Sequence, residues 1–307
     1  MKVGIKMTIN KVGVIGLGVI GLSWSALMLA KGVEVHVYDI REDHEEGTKQ
    51  SISQMLKSLG VSFSKVSDQL VIEKSVEDMA AHVEFIQENG PENLAFKKDL
   101  YATIEKYGTN SLIIASSSSG IPAGQMNADM SHPERLIIGH PFNPPHMIPL
   151  VEVSPSAQTS QLVIDQTLAF YEQLGKSPVV IKKEIPGFVA NRLQTAIFQE
   201  CIALVRDDVV DVKELDTIIE KSLGIRWASG GPFLSFHLGG GPQGFEGFLK
   251  HLGPALNQGF KDISQVELTE ELQEKLIEQV KIEYGMDLVE LAEHRDIVQG
   301  KIIDACD

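Results

Sequence analysis

The stretch KVGVIGLGVIGLSWSALMLAKGVEVHVYD, residues 11–39, restricts the possible folds more than any other part of the chain. Residues 12–15 are apolar and mostly β-branched, the pattern of a short buried strand. Gly16, Gly18 and Gly21 follow at GxGxxG spacing, where strand passes into helix. In such a turn the first glycine permits the bend and the second lets a pyrophosphate approach the backbone. The third lets helix and strand pack closely. Residues 22–30 read as the helix, stopped by Gly32, and residues 33–38 as a second strand. The helix N-terminus offers free N–H groups and a positive dipole end to phosphates. Asp39 ends the second strand, where a carboxylate accepts both ribose hydroxyls of NAD and repels the extra phosphate of NADP. Arg41, of a residue type that can serve a 2′-phosphate, is read with Asp39 in place as flanking the adenine. Strand, glycines, helix, strand and acid, in that order, predict an NAD-binding Rossmann unit.

The remaining pattern extends that unit into an α/β domain. Alternating strands and helices run to about residue 183, predicting a doubly wound, mainly parallel sheet covered on both faces. Strands are expected at 70–72, 83–86, 111–115, 136–139, 150–153 and 178–181, with helices at 41–59, 94–107 and 161–174. From Pro186 the alternation stops. A helix is expected from Pro186 and Gly187 to about Arg206, followed by residues 212–222 and a helix-rich tail over 268–305. The expected division is residues 1–184 for the NAD-binding domain and 185–307 for an all-α domain. The glycines near 230–231 and 239–241 are read as breaks between helices.

Composition sets further bounds. A net charge of −15 argues against nucleic acid or an anionic membrane surface as partner. Cys201 and Cys306 form no CxxC, which suits a reduced, cytoplasmic setting. The nine histidines include no HExxH, so no metal is expected. The apolar run at 12–30 is too rich in glycine for a membrane span or a signal sequence. Residues 1–6, ahead of Met7, read as a disordered extension.

The chemistry concentrates in GHPFNPPHMIPLVEV, residues 139–153. His140 ends one apolar run and Glu152 lies in another, with a proline-rich bend between them. That bend folds Glu152 back toward His140, and a carboxylate on one imidazole nitrogen leaves the other as a base. His146 reads as an exposed turn residue. Four polar residues fall where a doubly wound sheet gathers its chemistry: Ser119, His140, Glu152 and Asn191.

ASSSSG (115–120), GHPFNP, LVEV and PGFVANRL (186–193), in this order, resemble the L-3-hydroxyacyl-CoA dehydrogenase family over residues 11–236. The resemblance implies a Rossmann domain joined to a helical domain that makes substrate contacts and forms a homodimer. It also implies His140 as catalytic base, Glu152 as its partner, and Ser119 and Asn191 as hydrogen-bonding groups for the reacting oxygen. Glu88 and Asn143 match positions that contact NAD in the family. Asn93 stands where the family pattern has a lysine, which puts that cofactor contact in doubt. The chain departs from the acyl-CoA members in REDHEEGTKQSISQMLKSLG (41–60), whose acidic balance suits CoA phosphates poorly, and in Arg226. It is more similar to the branch containing L-gulonate 3-dehydrogenase (lambda-crystallin) and L-carnitine dehydrogenase. There Arg226 is expected to clamp a free carboxylate, since its planar fork matches that group. Trp227, Phe233 and Phe236 offer an aromatic wall for a trimethylammonium group. The expected reaction is oxidation of a small 3-hydroxy carboxylate by NAD. The alternatives are a short-chain 3-hydroxyacyl-CoA dehydrogenase and a non-catalytic NAD(H)-binding protein of crystallin type.

Overall fold

The computed structural model describes residues 9–41, 45–263, 265–267, 269–284 and 288–306. The extension read at residues 1–6 and the acidic Glu42 and Asp43 lie outside these. The chain divides into two compact units, Met1–Asn191 and Arg192–Asp307.

The first unit is the Rossmann domain. β1 (Lys11–Ile15), α1 (Val19–Ala30), β2 (Glu34–Tyr38), α2 (Glu45–Ser58) and β3 (Leu70–Ile72) come first. Then follow α3 (Val76–His82), β4 (Phe85–Glu88), α4 (Leu94–Tyr107), β5 (Ile113–Ser116) and α5 (Ala123–Met126). β6 (Leu136–Pro141), β7 (Leu150–Pro155), α6 (Gln161–Gln173) and β8 (Ser177–Val180) complete it. The strands form one eight-stranded sheet in the order β3-β2-β1-β4-β5-β6-β7-β8. All neighbouring pairs are parallel except β6 and β7, which are antiparallel. The winding direction reverses between β1 and β4, and ligands of such sheets bind at the carboxyl ends of strands beside that reversal.

β1 shows why the expected strand forms. Val12, Val14 and Ile15 are buried, as a strand with helices on both faces requires. Beneath the sheet, Trp24 stacks on Tyr171 at 5.6 Å between centroids, and Phe85 tilts against Phe170 at 4.7 Å. Tyr171 also fixes the approach to β6. Its hydroxyl donates to Gln87 Oε1 (2.7 Å), and a Cβ added at Gly139 would lie 1.8 Å from that hydroxyl oxygen. Glycine immediately before His140 is therefore a packing requirement.

The helix at α1 begins three residues earlier than expected, at Val19, so Gly21 lies within its first turn. The first unit extends to Asn191, beyond the Glu184 division, because its sheet holds the backbone of residues 189–190, as described below.

The second unit is helical. α7 (Ala190–Arg206) leads into it, followed by α8 (Val212–Ile219), a π-helical turn at Glu220–Gly224 and α9 (Ile225–Ser229). α10 (Pro232–Gly239), α11 (Gly244–Asp262), α12 (Glu270–Tyr284) and α13 (Leu288–Cys306) complete it. The glycines break helices as expected. Gly230 and Gly231 separate α9 from α10, and Gly240 and Gly241 separate α10 from α11. α8 starts at a capping box in which Asp211 and Glu214 each accept the other's backbone N–H. Among the described residues, no helix is long and apolar enough to cross a membrane.

Candidate active site

The glycine turn has the shape a dinucleotide requires. Gly16 has φ +84°, and a Cβ there would sit 2.7 Å from the Asn89 carbonyl oxygen at the end of β4. A Cβ on Gly21 would lie 1.9 Å from Gly16 O, so only glycine lets α1 pack this closely on the turn. A Cβ on Gly18 would meet no protein atom within 4 Å, leaving that face open to a pyrophosphate. Asp39 follows β2 and accepts the Leu17 N–H at 2.7 Å. Arg41 grips the same carboxylate through Nε (2.8 Å) and Nη2 (3.0 Å), and reaches Leu17 O at 2.9 Å. Burial pushes the Asp39 carboxyl up. The hydrogen bonds from Arg41 and Leu17 outweigh it and hold the group well below the usual carboxylate range. Open glycine face, helix N-terminus and ionised acid fit a dinucleotide with a free 2′-hydroxyl.

Glu88, which the resemblance pairs with NAD, is held inside the protein. It ends β4 with its side chain fully buried. Lys97 Nζ donates to both of its oxygens at 2.8 Å, and Tyr101, Ser116 and the Gly90 N–H donate at 2.7, 2.6 and 2.6 Å. With four donor groups making five hydrogen bonds to its two oxygens, Glu88 is the hub of an internal network beneath the β4 and β5 ends. Asn93 caps α4 by accepting the Phe96 N–H (3.0 Å), which explains an asparagine there. Asn143 is exposed on the segment after β6.

The serine run sorts itself by partner. Ser116 is bound to Glu88. Ser117 donates to Asn89 Oδ1 (2.7 Å) and accepts from Gln87 (2.8 Å). Ser118 donates to Glu92 Oε1 at 2.6 Å. Ser119 is the exposed member of the four, so its hydroxyl is the one presented outward. Glu92, which the sequence did not single out, also accepts the Gly120 and Ile121 N–H groups (2.8 and 3.1 Å). One carboxylate oxygen thereby holds the loop on both sides of Ser119.

The proline-rich bend closes an antiparallel hairpin in which His140 pairs directly with Glu152. Cross-strand partners on one face lie close enough for their side chains to meet. His140 Nδ1 and Glu152 Oε2 are 3.0 Å apart, and both side chains are buried. The second carboxylate oxygen, Oε1, accepts the N–H groups of Val189 (3.0 Å) and Ala190 (2.9 Å) at the start of α7. Burial raises the Glu152 carboxyl, but the bonds from His140 and these two N–H groups prevail and lower it. The sign follows: this stabilisation is complete above the ordinary carboxylate range and is lost as pH falls through the depressed folded value. At neutral pH an ionised Glu152 accepts from Nδ1–H, which leaves Nε2 as the basic nitrogen of His140.

Two further details differ from the sequence reading. α7 begins at Ala190, because Gly187 and Phe188 take φ +74° and +49°, outside the right-handed helical region. Asn191 is therefore in the first turn of α7, beside the N–H groups that Glu152 holds. The left-handed Phe188 is a strained conformation for a bulky residue, and its buried ring lies 5.2 Å from the His140 ring. His146 is buried and shares a 2.7 Å hydrogen bond with Ser23 Oγ of α1, in place of the exposed position expected.

In the second unit, Arg226 is exposed on α9, and among the described residues no carboxylate pairs with it. Phe233 and Phe236 pack on Phe245 (5.8 Å) and Phe248 (4.5 Å) of α11, while Trp227 enters no ring pair among the described residues. Of the expected aromatic wall, the two phenylalanines form ring pairs.

The sheet and glycine turn define a Rossmann domain of the NAD-binding kind. Residues 11–185 match the sequence model of the 3-hydroxyacyl-CoA dehydrogenase NAD-binding domain, and residues 187–281 that of its C-terminal domain. The chain belongs to the 3-hydroxyacyl-CoA dehydrogenase family. It is 36% identical over 299 residues to an L-carnitine dehydrogenase of Oceanobacillus iheyensis, covering 96% of this chain and 97% of that protein. It is 38% identical over 306 residues to a 3-hydroxyacyl-CoA dehydrogenase of Gibberella moniliformis, covering 97% and 95%. A crystal structure of 5-formyl-3-hydroxy-2-methylpyridine 4-carboxylic acid 5-dehydrogenase, an NAD+-dependent dismutase, superposes with a TM-score of 0.82. That match has 26% identity and covers 97% of this chain and 99% of that one.

Proposed function

We propose that the protein oxidises the 3-hydroxy group of a small 3-hydroxy carboxylate of the carnitine type, with His140 as general base. The observation that carries this reading is the buried His140–Glu152 pair, whose second carboxylate oxygen is tied to the start of α7. Bound NAD would supply the hydride acceptor, held by Gly16, Gly18, Gly21 and Asp39, with Asn143 as a further contact. His140 Nε2 takes the hydroxyl proton as the secondary alcohol becomes a ketone, and Glu152 stabilises the imidazolium that forms. In the reverse direction the imidazolium returns the proton. Ser119 and Asn191 hydrogen-bond the reacting oxygen where charge develops. Arg226 binds the substrate carboxylate through its guanidinium fork.

The carnitine type is preferred because similar relatives from several bacteria, 35–37% identical over most of the chain, are L-carnitine dehydrogenases. The Gibberella moniliformis relative supports the second reading, a 3-hydroxyacyl-CoA substrate. We also propose a cytoplasmic location and a homodimeric state, the first tested by cell fractionation and the second by sedimentation of the purified protein.

A panel of L-carnitine, L-gulonate, 3-hydroxybutyrate and acetoacetyl-CoA separates the readings. The expected order puts L-carnitine first in kcat/KM, whereas preference for acetoacetyl-CoA would reverse the assignment. Arg226→Ala should raise KM for a free acid by about tenfold or more, the loss of a charged hydrogen bond, and leave the thioester unaffected. Equal effects on both substrates would remove Arg226 from carboxylate binding.

A further inference from the structure

The segment joining β6 to β7 lies between His140 and Glu152, and it has few means of holding itself. Pro144, Pro145 and Pro149 lack N–H donors, so its carbonyls outnumber its donors. Within it, Met147 and Ile148 both donate to Pro144 O at 3.0 Å. The carbonyl oxygens of Pro145 and Ile148 turn instead to one outside group, the buried Lys176 amine, with the Ile148 contact at 2.6 Å. Lys176 follows the glycine that ends α6 and immediately precedes β8. Among the described residues no carboxylate pairs with it, and its Nζ lies 5.2 Å from the Trp24 ring centroid. The neighbouring residue of α1, Ser23, accepts the His146 N–H at 2.8 Å and bonds His146 Nδ1.

We infer that Lys176 is a positioning residue for the reaction: by gripping the Pro145 and Ile148 carbonyls it fixes the closed end of the hairpin that sets His140 against Glu152. This rests on the reading of that pair as the catalytic base and its partner. An unpaired ammonium is costly to bury, so a lysine here calls for a task that an apolar side chain cannot perform. Burial pushes the Lys176 amine down to about 7. The neutral form still has two N–H donors for two carbonyls, so the grip survives loss of the proton. The same segment is fastened to α1 through Ser23, so the helix that begins at the cofactor turn and the catalytic hairpin share one clamp.

Lys176→Met keeps the length of the side chain and removes its donors, and Lys176→Gln restores an amide donor. With the panel substrate of highest kcat/KM, the methionine variant should lose about tenfold or more in kcat, the scale of a small misplacement of a catalytic group. NAD affinity should stay near wild type, the glutamine variant should fall between, and amide exchange should rise in residues 142–149 without rising in α1. Wild-type kcat in a folded methionine variant would overturn the inference. So would parallel losses of turnover, NAD binding and exchange protection throughout the unit, or failure of both variants to fold, since either marks a purely structural group. His140→Ala serves as the control. If it keeps turnover, the reading of the pair fails; if it loses turnover while Lys176→Met does not, only the role of Lys176 fails.

Discussion

His140→Ala should lower kcat by about 10²–10⁴-fold while NAD binding stays near wild type, the range expected when a positioned general base is removed. The separation follows from where the groups sit. The glycine turn joins β1 to α1 and Asp39 follows β2, whereas His140 lies in β6 and contributes nothing to that turn. Its ring is packed between Phe142 (5.0 Å) and Phe188 (5.2 Å), so the substitution leaves a cavity and some instability as well. NAD affinity measured directly by fluorescence or calorimetry separates that cost from loss of the base. Turnover within a few-fold of wild type would remove His140 from the chemistry.

The second large effect concerns stability. Lys97→Met should destabilise the Rossmann unit by about 3–5 kcal/mol, because it leaves the Glu88 carboxylate buried without a countercharge. The donors from Tyr101, Ser116 and Gly90 remain, but none carries charge. Replacing both partners, in Glu88→Gln with Lys97→Met, should recover much of the loss, since removing a buried pair together is often close to neutral. Denaturant unfolding of the two single variants and the double variant gives the coupling directly. Equal stability of Lys97→Met and wild type would show that the pair does not hold the β4 and β5 ends. Because Ser116 belongs to this network and Ser119 lies three residues on, loosening of the network should reach the serine loop.

What the sequence disclosed depended on how local each signal was. The glycine turn, its strands and Asp39 lie within one contiguous stretch, where period and spacing carry the geometry. The His140–Glu152 pairing was legible because a proline-rich bend leaves adjacent strands as the simplest way to fold one run onto the other. The start of α7 was not, since a left-handed Phe188 is set by contacts with the sheet and leaves no mark in periodicity. His146 looked like a turn residue, and only the packing of α1 shows that Ser23 draws it inward. Glu88, Lys97, Tyr101 and Ser116 are likewise scattered along the chain and meet only once β4, β5 and α4 assemble. Ser119 was selected among four serines by resemblance alone. The structure adds a physical reason, because the other three hydroxyls are bound inward. Glu92 and Lys176 escaped notice because each acts on backbone groups, which a sequence does not distinguish.

The most direct test is the tautomer of the His140 imidazole, read from ¹⁵N shifts of histidine-labelled protein and assigned by difference from His140→Ala. An acid-braced base requires the proton on Nδ1, facing Glu152, and a bare Nε2. A resonance pattern with the proton on Nε2 and a bare Nδ1 would contradict it.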